Sequence, residues 1–232
     1  MAQGLSRMVK ASIDDWAAQL RRESPLVLAA ERGEVGPRAL ALYLESLRYV
    51  FAHSQANIRA AAARADELSL PELAGYFRAK ATEEHGHEQW AANDLTQLPS
   101  QAVNGVEPAS AARALVALQS KLIAQHPICF LAYAVWAEYL TASLGDEWLR
   151  LLARSGYQRS AVTAVAYHLE ADVEHAFEGF DALDRLWTGE PDAAAILSGV
   201  ERAERGFEAF CAEICGAQQP ATAGDVRQSL PT

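Results

Sequence analysis

Cysteine is nearly absent: Cys129, Cys211 and Cys215 are the only three in a chain of 232 residues. So sparse and odd a count excludes a disulfide scaffold. It points to a reducing compartment, and a cytoplasmic location is expected. Clustered basic charge is missing too. The formal net charge is -10, and no stretch gathers the Lys and Arg that phosphate binding needs, which argues against a nucleic-acid partner. No uninterrupted apolar run approaches the roughly 20 residues of a membrane span. The opening residues, MAQGLSRMVKASIDDWAAQL, lack the apolar core of a signal peptide. No membrane partner is expected on these grounds. Alternating strand patterns are absent as well. What remains is half apolar, rich in Ala and Leu, with an ordinary share of charge, the composition of a globular domain.

Apolar residues recur at helical spacing, and short breakers divide them into helix-length segments. Helices are predicted over about 12–30, 38–65, 69–98, two segments within 109–143, a short one after Gly145, then 158–187 and 191–215. Pro127 divides or kinks the 109–143 stretch. Ser69, Pro71 and Glu72 look like an N-cap, a first turn and the completion of a capping box. With no internal repeat and no linker, residues 1–216 read as one all-α bundle of about seven to eight helices, followed by a flexible tail over 217–232.

One helix carries an anomaly. In AVAYHLEADVEHAFEGF, residues 164–180, His168, Asp172 and His175 fall within an arc of about 60°. That stripe continues through Ala161, Ala164 and Val165 on one side and Gly179, Ala182, Leu183 and Leu186 on the other. It is a core-facing stripe. Glu170, Glu174, Glu178, Asp181 and Arg185 gather on the opposite, solvated face. A carboxylate in a core-facing stripe needs a strong partner, and a metal ion is one. The competing reading is an internal His–Asp hydrogen-bond network.

A metal would recruit other helices, and candidates exist. Glu84 and His87 in EEHGHEQW are spaced i, i+3 on a stripe with Leu73, Phe77, Lys80, Ala91 and Leu95. Glu83, His85 and Glu88 fall off that stripe and suit a solvated face. Glu138 is the only charge in the apolar run from Pro127 to Leu140. Glu45 is a further candidate, although Arg48 stands one turn away and can pair with it. Lys80 is read as a partner of Glu84, or else as an anchor for a substrate carboxylate. Tyr133, Trp136 and Tyr167 are read as core packing rather than pocket lining, and Cys129, Cys211 and Cys215 as small packed side chains. Carboxylate-rich, His-containing sites in helical bundles suit iron or manganese, often in pairs. The absence of cysteine near these positions argues against a zinc–thiolate site.

The H-x3-D-x2-H element, the upstream E-x2-H, and the helix from His126-Pro127 to Glu138 together resemble the heme-oxygenase-like diiron oxidases and oxygenases. The resemblance covers about residues 38–215 and implies a heme-oxygenase-like fold shared with thiaminase II and the pyrroloquinoline-quinone synthases. It implies iron ligands at Glu84, His87, Glu138, His168, Asp172 and His175, with two ferrous ions or, alternatively, manganese. The implied activity is oxidation of a small substrate by dioxygen: an amino acid, an amine or a fatty acid, by N-oxygenation, C–C cleavage or decarboxylation, often in natural-product biosynthesis. A homodimer and an external electron donor are compatible with it. Alternatives stay open. Cys129 and Tyr133 in HPICFLAY resemble the nucleophile region of thiaminase II, which would make the chain a hydrolase. A ferritin-like series of Glu45, Glu84/His87, Glu138 and Asp172/His175 leaves His168 surplus. Heme is disfavoured because no His precedes His53. A metal-free helical scaffold or binding protein would keep the same residues as a polar network.

Overall fold

Proline sets the start of four helices. Pro25, Pro37, Pro71 and Pro127 each occupy a first helical position, where the missing N–H costs nothing and the fixed φ already suits a helix. A computed structural model describes residues 4–217. Ten α-helices follow in order: α1 Leu5–Glu23, α2 Pro25–Glu31, α3 Pro37–Glu67, α4 Pro71–Glu83, α5 Glu88–Leu95, α6 Ser100–Val103, α7 Ser110–Gln125, α8 Pro127–Arg154, α9 Thr163–Leu186 and α10 Ala193–Gly216. A 3-10 turn, Arg159–Ala161, precedes α9. No strand occurs among the described residues. The tail expected at 217–232 lies, beyond Ala217, outside them.

The bundle is organised around α8. It packs against α9, α10, α7, α1, α2 and α3, and α3 carries α4, α5 and α7 on its other sides. By length and apolarity α8 resembles a membrane span, yet over half of that apolar window is buried inside the bundle. Its large side chains Ile128, Phe130, Leu131, Trp136 and Leu152 belong to the core.

Several expected boundaries differ, each for a local reason. The segment expected over 12–30 is two helices, because Pro25 removes the amide that would continue α1. Ser69 is not an N-cap. It takes φ of 57° to close the end of α3, and Leu70, kept out of the helical region before Pro71, is the capping residue. The helix after Gly145 is no separate element, since α8 runs through that glycine to Arg154. The 69–98 segment breaks at residues 84–87, between α4 and α5.

Three helices are capped by carboxylates from distant parts of the chain. Asp94 of α5, 1% exposed, accepts from Thr163 Oγ1 at 2.5 Å and Ala164 N at 2.8 Å, at the start of α9. Asp184 of α9 accepts from Ser6 N at 2.9 Å and Ser6 Oγ at 2.6 Å, at the start of α1. Glu213 of α10 accepts from Ser110 N at 2.8 Å and Ala111 N at 3.0 Å, at the start of α7. Each satisfies amides that the first helical turn leaves open and complements the positive end of the helix dipole.

The contact between α8 and α9 depends on Gly179. A Cβ built there would stand 2.5 Å from Val135 Cγ2 and 3.5 Å from Glu138 Oε2. Gly179→Ala is expected to force the helices apart and cost about 1–2 kcal/mol, overpacking outweighing the better helix propensity of Ala. Urea unfolding of the two proteins checks it; an unchanged or raised midpoint would mean that α8 and α9 have slack at this crossing.

Candidate metal centre

Helix α9 presents the two faces that its sequence predicts. His168, 9% exposed, and Asp172, 5% exposed, are buried with Ala164, Val165, Gly179, Ala182 and Leu183. Glu170, Glu174, Glu178, Asp181 and Arg185 are exposed. His175 follows at the edge of the buried face, its Nδ1 3.6 Å from Asp172 Oδ1.

Glu84 and His87 do meet, but not by helical periodicity. Glu84 ends α4, donating its amide to Lys80 O at 3.1 Å, and His87 begins α5. Gly86, with φ of 85°, makes the reversal between them, a conformation that L side chains resist. The turn aims both side chains at α9. Ligand atoms of Glu84, His87 and His168 all lie within 4.8 Å of one another, and His87 Nδ1 is 3.3 Å from Glu84 Oε2. Glu138 enters from α8. Asp172, Lys80, His175 and Glu84 are the charged groups that act on it most.

Hydrogen bonding orients the rings. His168 Nδ1 donates to Ala164 O at 2.7 Å, which leaves Nε2 as the basic nitrogen. Phe51 stacks on the His168 ring at 4.2 Å between centroids, and Trp90 stacks on His87 at the same distance. His175 Nε2 lies 3.5 Å from Glu83 Oε2. Lys80 Nζ donates to Glu83 at 2.8 Å and to Glu178 at 2.7 Å. The Glu84 partner expected for Lys80 is thus replaced by these two carboxylates. Glu83, read from sequence as part of a solvated face, reaches the His175 ring because the chain breaks directly after it. Glu45 accepts twice from Arg48, at 2.7 and 2.6 Å, and so has its own cation.

Of the eight buried side-chain atoms without a hydrogen-bond partner among the described residues, four belong to this cluster: His87 Nδ1, His168 Nε2, His175 Nδ1 and Glu138 Oε2. Leaving one such atom unpaired costs about 1–3 kcal/mol. Four in one cluster fit a metal site, since each offers a lone pair that a cation would satisfy. Imidazole and carboxylate donors without thiolate suit iron or manganese. Titration behaviour agrees. Burial pushes Glu138 up to about 8, with the nearby Asp172 adding to it. Burial holds His168 below the usual imidazole range, keeping it neutral. Burial works to raise Glu84, but the His87 ring 3.3 Å away and the neighbouring His168 and His175 outweigh it and hold the carboxyl low. Asp172 raises His175 against the opposing effect of burial.

An internal cavity of about 290 Å³ opens onto this cluster, with Glu84, Glu138, His168 and Asp172 in its wall. Most of the remaining wall is apolar or aromatic. Tyr133 and Trp136 line it, while Tyr167 is 46% exposed on the outer side of α9. Cys129 is fully buried outside that wall, and burial pushes its thiol up to about 11, a poor setting for a nucleophile.

No protein-family model and no curated protein matches the chain. Solved structures do. A domain of unknown function with a heme oxygenase-like fold from Shewanella denitrificans OS217 superposes with a TM-score of 0.81 at 18% identity, covering 95% of this chain and 100% of that one. A CADD-like protein of unknown function from Nostoc punctiforme PCC 73102 gives 0.63 at 13% identity, covering 90% of this chain and 98% of that one. The chain therefore has a heme-oxygenase-like fold, as its motifs imply. At these identities the likeness extends to the fold.

Proposed function

We infer that this chain is a non-heme iron oxidase or oxygenase that uses dioxygen to oxidise a small organic substrate: an amino acid, an amine or a fatty acid. The observation that carries this reading is the set of four unpartnered ligand atoms, two of which, on Glu138 and His168, belong to the wall of an apolar cavity. Glu84, His87, Glu138, His168, Asp172 and His175 would hold a pair of iron ions. Bound there, ferrous iron supplies the electrons and open positions that dioxygen activation requires. The chain's own residues do the rest. His168 and His175 keep their ligating nitrogens bare by committing or directing the other ring nitrogen elsewhere. Glu83, fixed by Lys80, is placed to hold the His175 proton. Phe51 and Trp90 cover the rings and exclude water. Repeated turnover calls for an external electron donor, and the three free thiols suit a reducing cytoplasm.

Metal analysis after anaerobic reconstitution with ferrous iron is the direct test. About two irons per chain, with a transient visible absorption on adding oxygen, is the expected result. Absence of stoichiometric iron would leave the cluster as a polar network in a helical scaffold. The thiaminase-like alternative has less support, since Cys129 lies off the cavity wall with a raised pKa.

A further inference from the structure

The cavity has two unlike ends. The inner one is the metal cluster. At the other, Arg21 of α1 and Glu147 of α8 line the wall with side chains about two-fifths exposed, 39% and 41%. Glu138 and Glu147 are about 13 Å apart along α8 at 1.5 Å per residue. Helix α3 gives a similar measure: Tyr43, packed against Trp148, and Phe51, stacked on His168, are about 12 Å apart along the helix axis. Between these ends the wall is mostly apolar. The indole N–H groups of Trp136 and Trp148 are unpaired there among the described residues, but they are donors without charge. Gln119, Tyr133 and Ser46 are bonded to one another or to the backbone. Gln119 Nε2 donates to Tyr133 Oη at 3.0 Å, and Ser46 Oγ donates to Leu42 O at 2.6 Å.

We propose that the substrate is an elongated apolar chain with one anionic head, held head outward at Arg21 with its far end at the metal cluster. This rests on the oxygenase reading for the word substrate, but the binding mode does not require iron. Three observations favour the orientation. In the metal-free protein a carboxylate at the inner end would meet Glu84, Glu138 and Asp172. Lys80, which lines that end, already bonds the carboxylates of Glu83 and Glu178. Arg21 instead has a single carboxylate partner, Glu147 at 2.9 Å, and a bond from Nη2 to Ser143 O at 3.1 Å. Its Nη1 has no partner among the described residues. A charged head at this half-exposed end keeps much of its hydration, whereas the inner end would strip it. The tail gains what the head does not lose, since each CH2 moved from water into the cavity contributes about 0.8 kcal/mol.

Binding of straight-chain carboxylates from hexanoate to hexadecanoate, followed by tryptophan fluorescence in metal-free protein, tests this, because Trp136 and Trp148 line the cavity. Affinity should rise about fourfold per CH2 and level off once the chain exceeds the cavity. Arg21→Gln should weaken the acids at least about tenfold and leave the matching alcohols unchanged. Thr141→Phe, which fills the middle of the cavity, should abolish binding of both while the circular-dichroism spectrum persists. A flat length dependence, tighter binding of leucine or arginine than of the long acids, or retained binding in Thr141→Phe would overturn the proposal. Acids that bind only to iron-loaded protein and ignore Arg21→Gln would put the head on the metal and overturn the orientation. Failure of the protein to take up iron while the length series behaves as described removes the oxygenase reading and leaves the chain-binding site standing.

Discussion

Replacing His168 with Ala should lower affinity for ferrous iron by more than about a hundredfold, a change of the size seen when even an outer partner of a ligand is lost being 10–100-fold. His168 is the residue through which the cluster is joined. Its ligand atom is within 4.8 Å of those of Glu84 and His87, and Asp172 follows it one turn along α9. Its ring is held by Ala164 O and by Phe51, so the nitrogen facing the cluster is presented without rotational freedom. The fold should survive, because α9 keeps its apolar face and its Asp94 cap. The check pairs metal analysis with far-ultraviolet circular dichroism. Full iron content in a helical His168→Ala protein would take this histidine out of the ligand set.

The second large effect concerns Glu138 in metal-free protein. Its carboxyl belongs near 4.5 in an unfolded chain and is pushed up to about 8 by burial and by Asp172. A folded pKa above the unfolded one means that the folded state holds the proton more tightly. The stabilisation is complete below about 4.5 and is lost as pH rises through about 8. Between pH 5 and 8.5 the wild-type protein should lose on the order of 4 kcal/mol relative to Glu138→Gln, which cannot ionise. His168 opposes this slope, because a buried neutral imidazole loses stability as pH falls. His175 reinforces it. The difference between wild type and Glu138→Gln in urea unfolding reports the carboxylate together with its interaction with His175, and cancels the part of the histidine slopes that does not depend on it. A difference that stays constant with pH would mean that Glu138 ionises freely in the folded protein.

The two faces of α9 were legible because one helix carries both in register: a run of small and apolar residues interrupted by His168, Asp172 and His175, with its acids opposite. Glu138 was legible because an isolated acid in an apolar helix lacks a local partner. Glu84 and His87 were legible as a pair, for a reason that the structure replaces. They adjoin through a break at Gly86, and in EEHGHEQW that glycine is the one residue that signals it. Glu83 is exposed, as its place off the Glu84 and His87 stripe predicts, and from the surface it still comes within 3.5 Å of His175 Nε2. Phe51, Trp90 and Lys80 act across helices, and nothing in their local sequence states which ring or carboxylate they will meet. The cavity is beyond sequence reading for the same reason. Its wall takes residues from eight helices, and a hollow is a property of their packing rather than of any one pattern.

The carboxylate at the start of α1 sets a timetable for the nascent chain. Ser6 is bonded by Asp184, 178 positions later, and Trp16 of the same helix gives its indole N–H to Glu208 at 2.8 Å. Helix α1 therefore leaves the ribosome well before α9 and α10, which supply these partners. At about 5–20 residues per second it waits about 10–40 s with Leu5, Val9, Ile13 and Leu20 uncovered. A cell making this protein quickly has many such unsheltered helices at once. Its yield should respond to chaperones that bind emerging apolar segments and to slowed synthesis, well before anything about the metal cluster matters.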